Sequence, residues 1–174
     1  DRYVSDADSL STINGNKPVL GLFNTGNMSL EWTGPVASLG KGNAPEACKE
    51  GQRPATEPSL AAMTRRAIDL LESKNTKGFV LQVEGASIDK QDHATNACGQ
   101  IGETIAFDRA IGVALDYQED HPDTLVVVTA DHSHTSQIVG EDAGGTGLPT
   151  GYSTNLSTKD GQTLSLTYGT AGYE

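Results

Sequence analysis

The stretch GFVLQVEGASIDKQDH, residues 78–93, sets Glu84, Asp89, Asp92 and His93 directly behind an apolar run. A second polar group, Asp131 and His132, follows the apolar run TLVVVTA, and His134 comes two residues later. Imidazole and carboxylate together suit a catalytic zinc ion, whereas an all-oxygen corner suits magnesium. If the chain turns helical at Asp89, then Asp89 and His93 stand at i and i+4 on one face and can grip one ion. Glu84 arrives from the end of the preceding strand. Asp131 and His132 point apart in an extended strand but can converge where the backbone turns. Five candidate ligands exceed what one tetrahedral zinc needs, which points to more than one metal. Two zinc ions ~4 Å apart would clamp both sides of an in-line phosphoryl displacement.

Each of these groups also has a plainer reading. An Asp-His pair after a strand is commonly a cap or a loop, and Glu, Asp and His in one loop are commonly solvated. His134 is either a partner that hydrogen-bonds a ligating carboxylate or a loop histidine. Lys90 either reaches a phosphate through water or is a solvated lysine. His121, placed before a proline in a turn, receives no role.

The elements that must position these residues can be read from periodicity. KPVLGLF, 17–23, reads as a short buried strand. SLAAMTRRAIDLLESK carries Leu60, Met63, Ala67, Leu70 and Leu71 on one helical face, with Thr56 and Pro58 as start signals and Lys77-Gly78 as the stop. GFVLQVE is a short, nearly continuous apolar run, as in a sheet covered on both faces. GQIGETIAFDRAIGVALDYQED repeats Ile101, Ile105, Ala110, Ile111, Ala114 and Leu115 at helical spacing and ends at His121-Pro122-Asp123. TLVVVTADHSH supplies a strand over Leu125–Thr129. TLSLTYG, 163–169, alternates like a half-buried strand near an edge. Alternating strands and helices favour parallel strands joined by right-handed crossovers, a three-layer α/β/α sandwich with a mostly parallel sheet. In such a sheet the working site forms beyond the carboxyl ends of the strands, where both polar groups fall.

Bulk properties narrow the classes. The chain has 174 residues, room for one compact domain or part of a larger one. Residues 33–58 and 140–162 are rich in turn formers and read as surface excursions. The formal charge of −11, from 23 acidic and 12 basic residues, argues against a nucleic-acid partner. It is compatible with cation binding, with a salty medium, or with an ordinary acidic surface. No apolar run approaches the ~18 residues that would span a membrane. The opening DRYVSDADSL has neither the basic start nor the apolar core of a signal peptide. Cys48 and Cys98 are two reduced thiols or one bridge of an exported protein, and their polar, turn-rich surroundings favour the bridge.

EGASIDKQDH together with TADHSHTSQIV closely resembles the bacterial alkaline phosphatases. The likeness extends to SDADSL, GLFNTGNM and NACGQIGET, and it is weakest over 33–58 and 140–162. The resemblance implies a homodimeric hydrolase of phosphate monoesters with two zinc ions and one magnesium per site, working through a phosphoserine. By position, Asp89 and His93 resemble ligands of the first zinc, Asp131 and His132 of the second, and Glu84 a ligand of magnesium. Lys90 matches a lysine that reaches the phosphate through water. His134 corresponds to a histidine behind the ligands, and Asp92 stands with it. Cys48 and Cys98 fall where the family carries a disulfide, which implies the periplasm or the outside of the cell.

The departures bear on activity. The family's nucleophile is a serine in an Asp-Ser-Ala motif that this chain lacks. Asp8-Ser9-Leu10 lies in a region matching a different part of the family, and Ser87 lies between ligands. The chain therefore resembles a central to C-terminal segment, expected to be inactive alone, whose partner is the remainder of the enzyme. The rival readings are an inactive metal-binding fragment and another phosphohydrolase of the same superfamily, such as a phosphodiesterase.

Overall fold

The structure is a computed structural model that describes residues 2–14, 17–73, 76–140 and 151–169. These divide into two compact units. One comprises residues up to 29, 52–85 and 104–129; the other comprises 30–51, 86–103 and 130 onward. Each unit gathers its own apolar cluster, around Val4, Leu10 and Ile13 in the first and around Ala37, Cys98, Leu156, Leu166 and Tyr168 in the second.

In the first unit, strands β1 (Arg2–Val4) and β2 (Val19–Gly21) pair in parallel, with Tyr3 opposite Leu20. Helix α1 (Ala7–Thr12) starts on a capping box, in which the Asp6 carboxylate accepts from the Ser9 backbone N–H. The Ser9 hydroxyl is committed to the same cap, donating to the Asp6 carbonyl at 3.0 Å. Helix α2 (Leu60–Glu72) begins at Ser59, whose hydroxyl accepts from Ala62 N–H, rather than at Thr56 or Pro58. Its inner face buries Thr64 and Ile68 and sets Met63 and Leu70 against the first cluster.

The second unit is built on a four-stranded antiparallel sheet in the order β4 (Ser38–Leu39), β7 (Tyr152–Ser157), β8 (Thr163–Tyr168), β6 (Ser136–Val139). Strands β3 (Trp32–Thr33) and β5 (Lys49–Glu50) form a separate antiparallel pair. TLSLTYG is thus a strand one place in from the edge strand β6, as its alternation suggests. It is hydrogen-bonded on both sides, and Leu166, Thr167 and Tyr168 are buried. The excursion expected over 140–162 contains β7, while positions 141–150 lie outside the described residues. Cys48 and Cys98 are joined by a disulfide that ties the 33–58 segment to the start of helix α4 (Ala97–Asp120). Two glycines admit this packing. A Cβ on Gly34 would meet Cys98 Sγ at 2.2 Å, and one on Gly102 would meet Trp32 Cβ at 2.6 Å.

The apolar runs 78–84 and 124–129, expected as covered parallel strands, form no ladder among the described residues. Val80 is 95% exposed and Leu125 84%. A strand acquires its ladder only from neighbours, and among the described residues β1 and β2 pair only with each other.

Candidate functional site

The site is built in the second unit on helix α3 (Ser87–His93), whose sequence SIDKQDH places Asp89 and His93 one turn apart. Thr95 ends the run. It takes φ +52°, a left-handed conformation unusual for a β-branched residue. Its N–H donates to the Asp92 carbonyl, and its own carbonyl accepts from Ala37 N–H. This reversal stops α3 after His93 and sends the chain into α4, fixing which turn carries Asp89 and His93. The segment Asp131–His134 runs directly into β6, whose pairing with β8 anchors it.

Three imidazoles converge on one carboxylate oxygen. Asp89 Oδ1 lies 3.6 Å from His93 Nε2, 3.8 Å from His132 Nε2 and 3.8 Å from His134 Nε2. The His93 and His134 rings meet edge-on with centroids 4.7 Å apart. Ligand atoms of Asp89, His93 and His134 all fall within 4.8 Å of one another. Such separations are too long for charge-assisted hydrogen bonds, which lie near 2.7–2.9 Å. They approach the roughly 3.3–3.5 Å between ligands of one tetrahedral ion with bonds of about 2.0–2.2 Å. Asp89 Oδ1 is also shielded from solvent and accepts no hydrogen bond from the described residues. A shielded carboxylate oxygen facing three imidazole nitrogens is a donor set that fits a divalent cation.

The ring nitrogens are disposed for this. His132 Nδ1 lies 2.9 Å from the Ser133 carbonyl. A proton on Nδ1 satisfies that carbonyl and leaves the Nε2 lone pair facing Asp89. The Ser133 carbonyl and then the Asp131 carboxylate raise the His132 pKa above its ordinary value. Asp131 Oδ2 stands 3.8 Å from His132 Nε2, on an exposed side chain.

Beneath the cluster lies Asp92, only 5% exposed, with one carboxylate oxygen unpartnered among the described residues. Burial raises its pKa; a Ser136 hydrogen bond and the neighbouring His134 oppose the rise, and Asp89 adds to it. Tyr168, 1% exposed, adjoins it with its hydroxyl unpartnered, and its pKa is raised by burial and then by the Asp92 charge. Sequence reasoning missed Ser136 and Tyr168. They become neighbours of Asp92 only through the β6–β8 pairing, in which the two face each other.

Of the residues singled out in the sequence, Asp89, Asp92, His93, Asp131, His132 and His134 share this region of the second unit. Lys90 sits on α3 with an exposed side chain. Glu84 belongs to the first unit, where it is exposed.

Comparison with known proteins defines the class. The family model for alkaline phosphatase matches residues 1–173. An alkaline phosphatase of Escherichia fergusonii is 51% identical over 97% of this chain and 36% of its own length. A streptomycin-6-phosphate phosphatase of Streptomyces griseus is 48% identical over 98% of this chain and 38% of its own. Among solved structures, a cold-active alkaline phosphatase from a psychrophilic Shewanella superposes with a TM-score of 0.57 at 34% identity, over 79% of this chain and 29% of that one. The chain belongs to the alkaline phosphatase family and carries part of its α/β fold. It spans little more than a third of the length of these curated relatives.

Proposed function

We propose that this chain supplies the zinc-binding face of a phosphate monoester hydrolase of the alkaline phosphatase type. The observation that carries the reading is the approach of three imidazole Nε2 atoms to the shielded, unpartnered Oδ1 of Asp89. Asp89 and His93 would hold a first zinc ion, Asp131 and His132 a second, and Glu84 a magnesium ion. Ions held there supply positive charge to a phosphate ester and acidify a hydroxyl group.

The chain's own residues have distinct tasks. Asp89 and His93, fixed one turn apart on α3, set the position of one cation. The Ser133 carbonyl keeps the His132 Nε2 lone pair available for the other. His134 and buried Asp92 orient the Asp89 and His93 side chains from behind. Lys90, on the exposed face of α3, draws a phosphate oxygen through water. The nucleophilic serine belongs to a part of the enzyme outside this sequence, and the phosphoserine would form there. The working enzyme is a homodimer of the periplasm or cell exterior, a setting that suits the Cys48–Cys98 bridge.

The test is a chimera in which this chain replaces the matching third of the Escherichia fergusonii relative. Hydrolysis of a chromogenic monoester, abolished by Asp89→Ala, is the expected result. A folded, zinc-loaded chimera that cleaves a diester in preference would favour a phosphodiesterase. One that cleaves neither would favour a metal-binding fragment.

A further inference from the structure

His121, to which the sequence assigns nothing, is engaged through both ring nitrogens. Nδ1 lies 2.9 Å from the Tyr117 carbonyl oxygen, and Nε2 lies 2.8 Å from Glu72 Oε1. Both partners can only accept a hydrogen bond. A neutral imidazole has a single N–H, so this pair of contacts calls for the doubly protonated ring. The ring also stacks on Tyr117, with centroids 4.0 Å apart and planes 14° from parallel. Tyr117 in turn meets Phe79 at 6.1 Å.

The placement gives the contact a structural meaning. Glu72 is the last residue of α2, and His121 directly follows Asp120, the last residue of α4. Helix C-termini favour a cation and disfavour a carboxylate, so the Glu72 charge at the end of α2 needs this counter-charge. The charged groups facing the pair are Glu72 from α2, Asp120 from α4 and, beside Tyr117, Asp123 from the following turn. All three are acidic. The backbone is closed around the same point, since His121 N–H donates to the Tyr117 and Gln118 carbonyls and the His121 carbonyl accepts from Thr124 N–H.

We propose that His121 is a protonation-operated clasp that joins the C-terminal ends of α2 and α4 while its ring is cationic and releases Glu72 when one ring proton leaves. This does not depend on the assignment of the metal cluster. Its surroundings hold the imidazole above its usual range, chiefly through the Tyr117 carbonyl; burial opposes the rise, and the Glu72 carboxylate and then Asp120 add to it. The sign follows. A raised folded pKa means that the clasp's stabilisation is complete below the unfolded value of about 6.5 and disappears as pH climbs through the folded value. An enzyme working in alkaline solution would therefore have the end of α2 unclasped.

The experiment uses the chain labelled with ¹⁵N-histidine. Long-range proton–nitrogen spectra report the protonation of each ring nitrogen against pH, while amide exchange follows residues 70–73. The expected result is a doubly protonated His121 whose midpoint lies above 6.5 and falls in Glu72→Gln. Amide protection at the end of α2 should drop through that same midpoint, beyond the intrinsic pH dependence of exchange, and should be low at every pH in His121→Gln. Circular dichroism checks that each variant remains folded; Glu72→Gln, a nearly isosteric change on a half-exposed side chain, keeps the test intact if His121→Gln does not fold. A midpoint at or below 6.5 that Glu72→Gln leaves in place would overturn the clasp. So would protection that ignores the titration of His121.

Discussion

The Nε2 atom of His132 stands 3.8 Å from Oδ1 of Asp89, although one residue precedes β6 and the other rides on α3. This separation joins the two polar groups of the sequence into one site. Asp89→Ala removes the oxygen on which the three imidazoles converge and, on the proposed assignment, one of the two side chains that hold the first zinc. Loss of outer partners alone typically costs 10–100-fold in metal affinity. Zinc affinity, followed by titration calorimetry, should therefore fall by at least about 100-fold.

Asp92 makes a pH-dependent prediction. Burial raises its folded pKa above 3.8, so the folded chain holds this proton to higher pH than the unfolded chain does. Wild-type stability should therefore decline as pH rises from the unfolded towards the folded value, and Asp92→Asn should escape this decline. In metal-free urea unfolding, the variant's advantage should be absent below pH 3.8, grow through that interval and then level off. A difference independent of pH would contradict the assignment.

The Cys48–Cys98 bridge closes a loop with a sequence separation of 50 residues. Chain-entropy arguments give such a cross-link roughly 3–4 kcal/mol. Cys48→Ser should lower the denaturation midpoint accordingly under oxidising conditions. Equal melting of the two proteins without reductant would count against the bridge.

Two glycines of α4 should respond in opposite directions. A Cβ at Gly102 would fall 2.6 Å from Trp32 Cβ and 2.9 Å from the Trp32 backbone nitrogen, whereas Gly112 has nothing within 4 Å. Gly102→Ala should destabilise by about 1–3 kcal/mol through overpacking. Gly112→Ala should stabilise by about 0.5–1 kcal/mol through helix propensity. Thermal unfolding of the pair would check both.

The sequence announced helices α2 and α4 because their signals are local, whereas the six-residue α1 is too short to show a periodic face. The apolar face of α2 and the i, i+4 placement of Asp89 and His93 need only the helical repeat. The polar cluster was also apparent, since both halves follow apolar runs in unbroken motifs. What failed depended on distant partners. TLSLTYG lies near an edge as its alternation suggests, but which strands flank it, β6 and β7, is set by partners that its own residues do not specify. The 78–84 and 124–129 runs are apolar enough for covered strands, yet neither forms a strand ladder among the described residues. Ser136 and Tyr168 carry no motif, and their place beside Asp92 follows from strand register alone. His121 was passed over because its partner Glu72 is remote in sequence.

The most direct measurement is zinc-edge X-ray absorption combined with anomalous diffraction from crystals of the zinc-loaded chain. The account predicts an ion bonded to a carboxylate oxygen of Asp89 and to the imidazole of His93, with His132 turned towards the same region. Zinc in excess that leaves Asp89, His93 and His132 all without metal would contradict it.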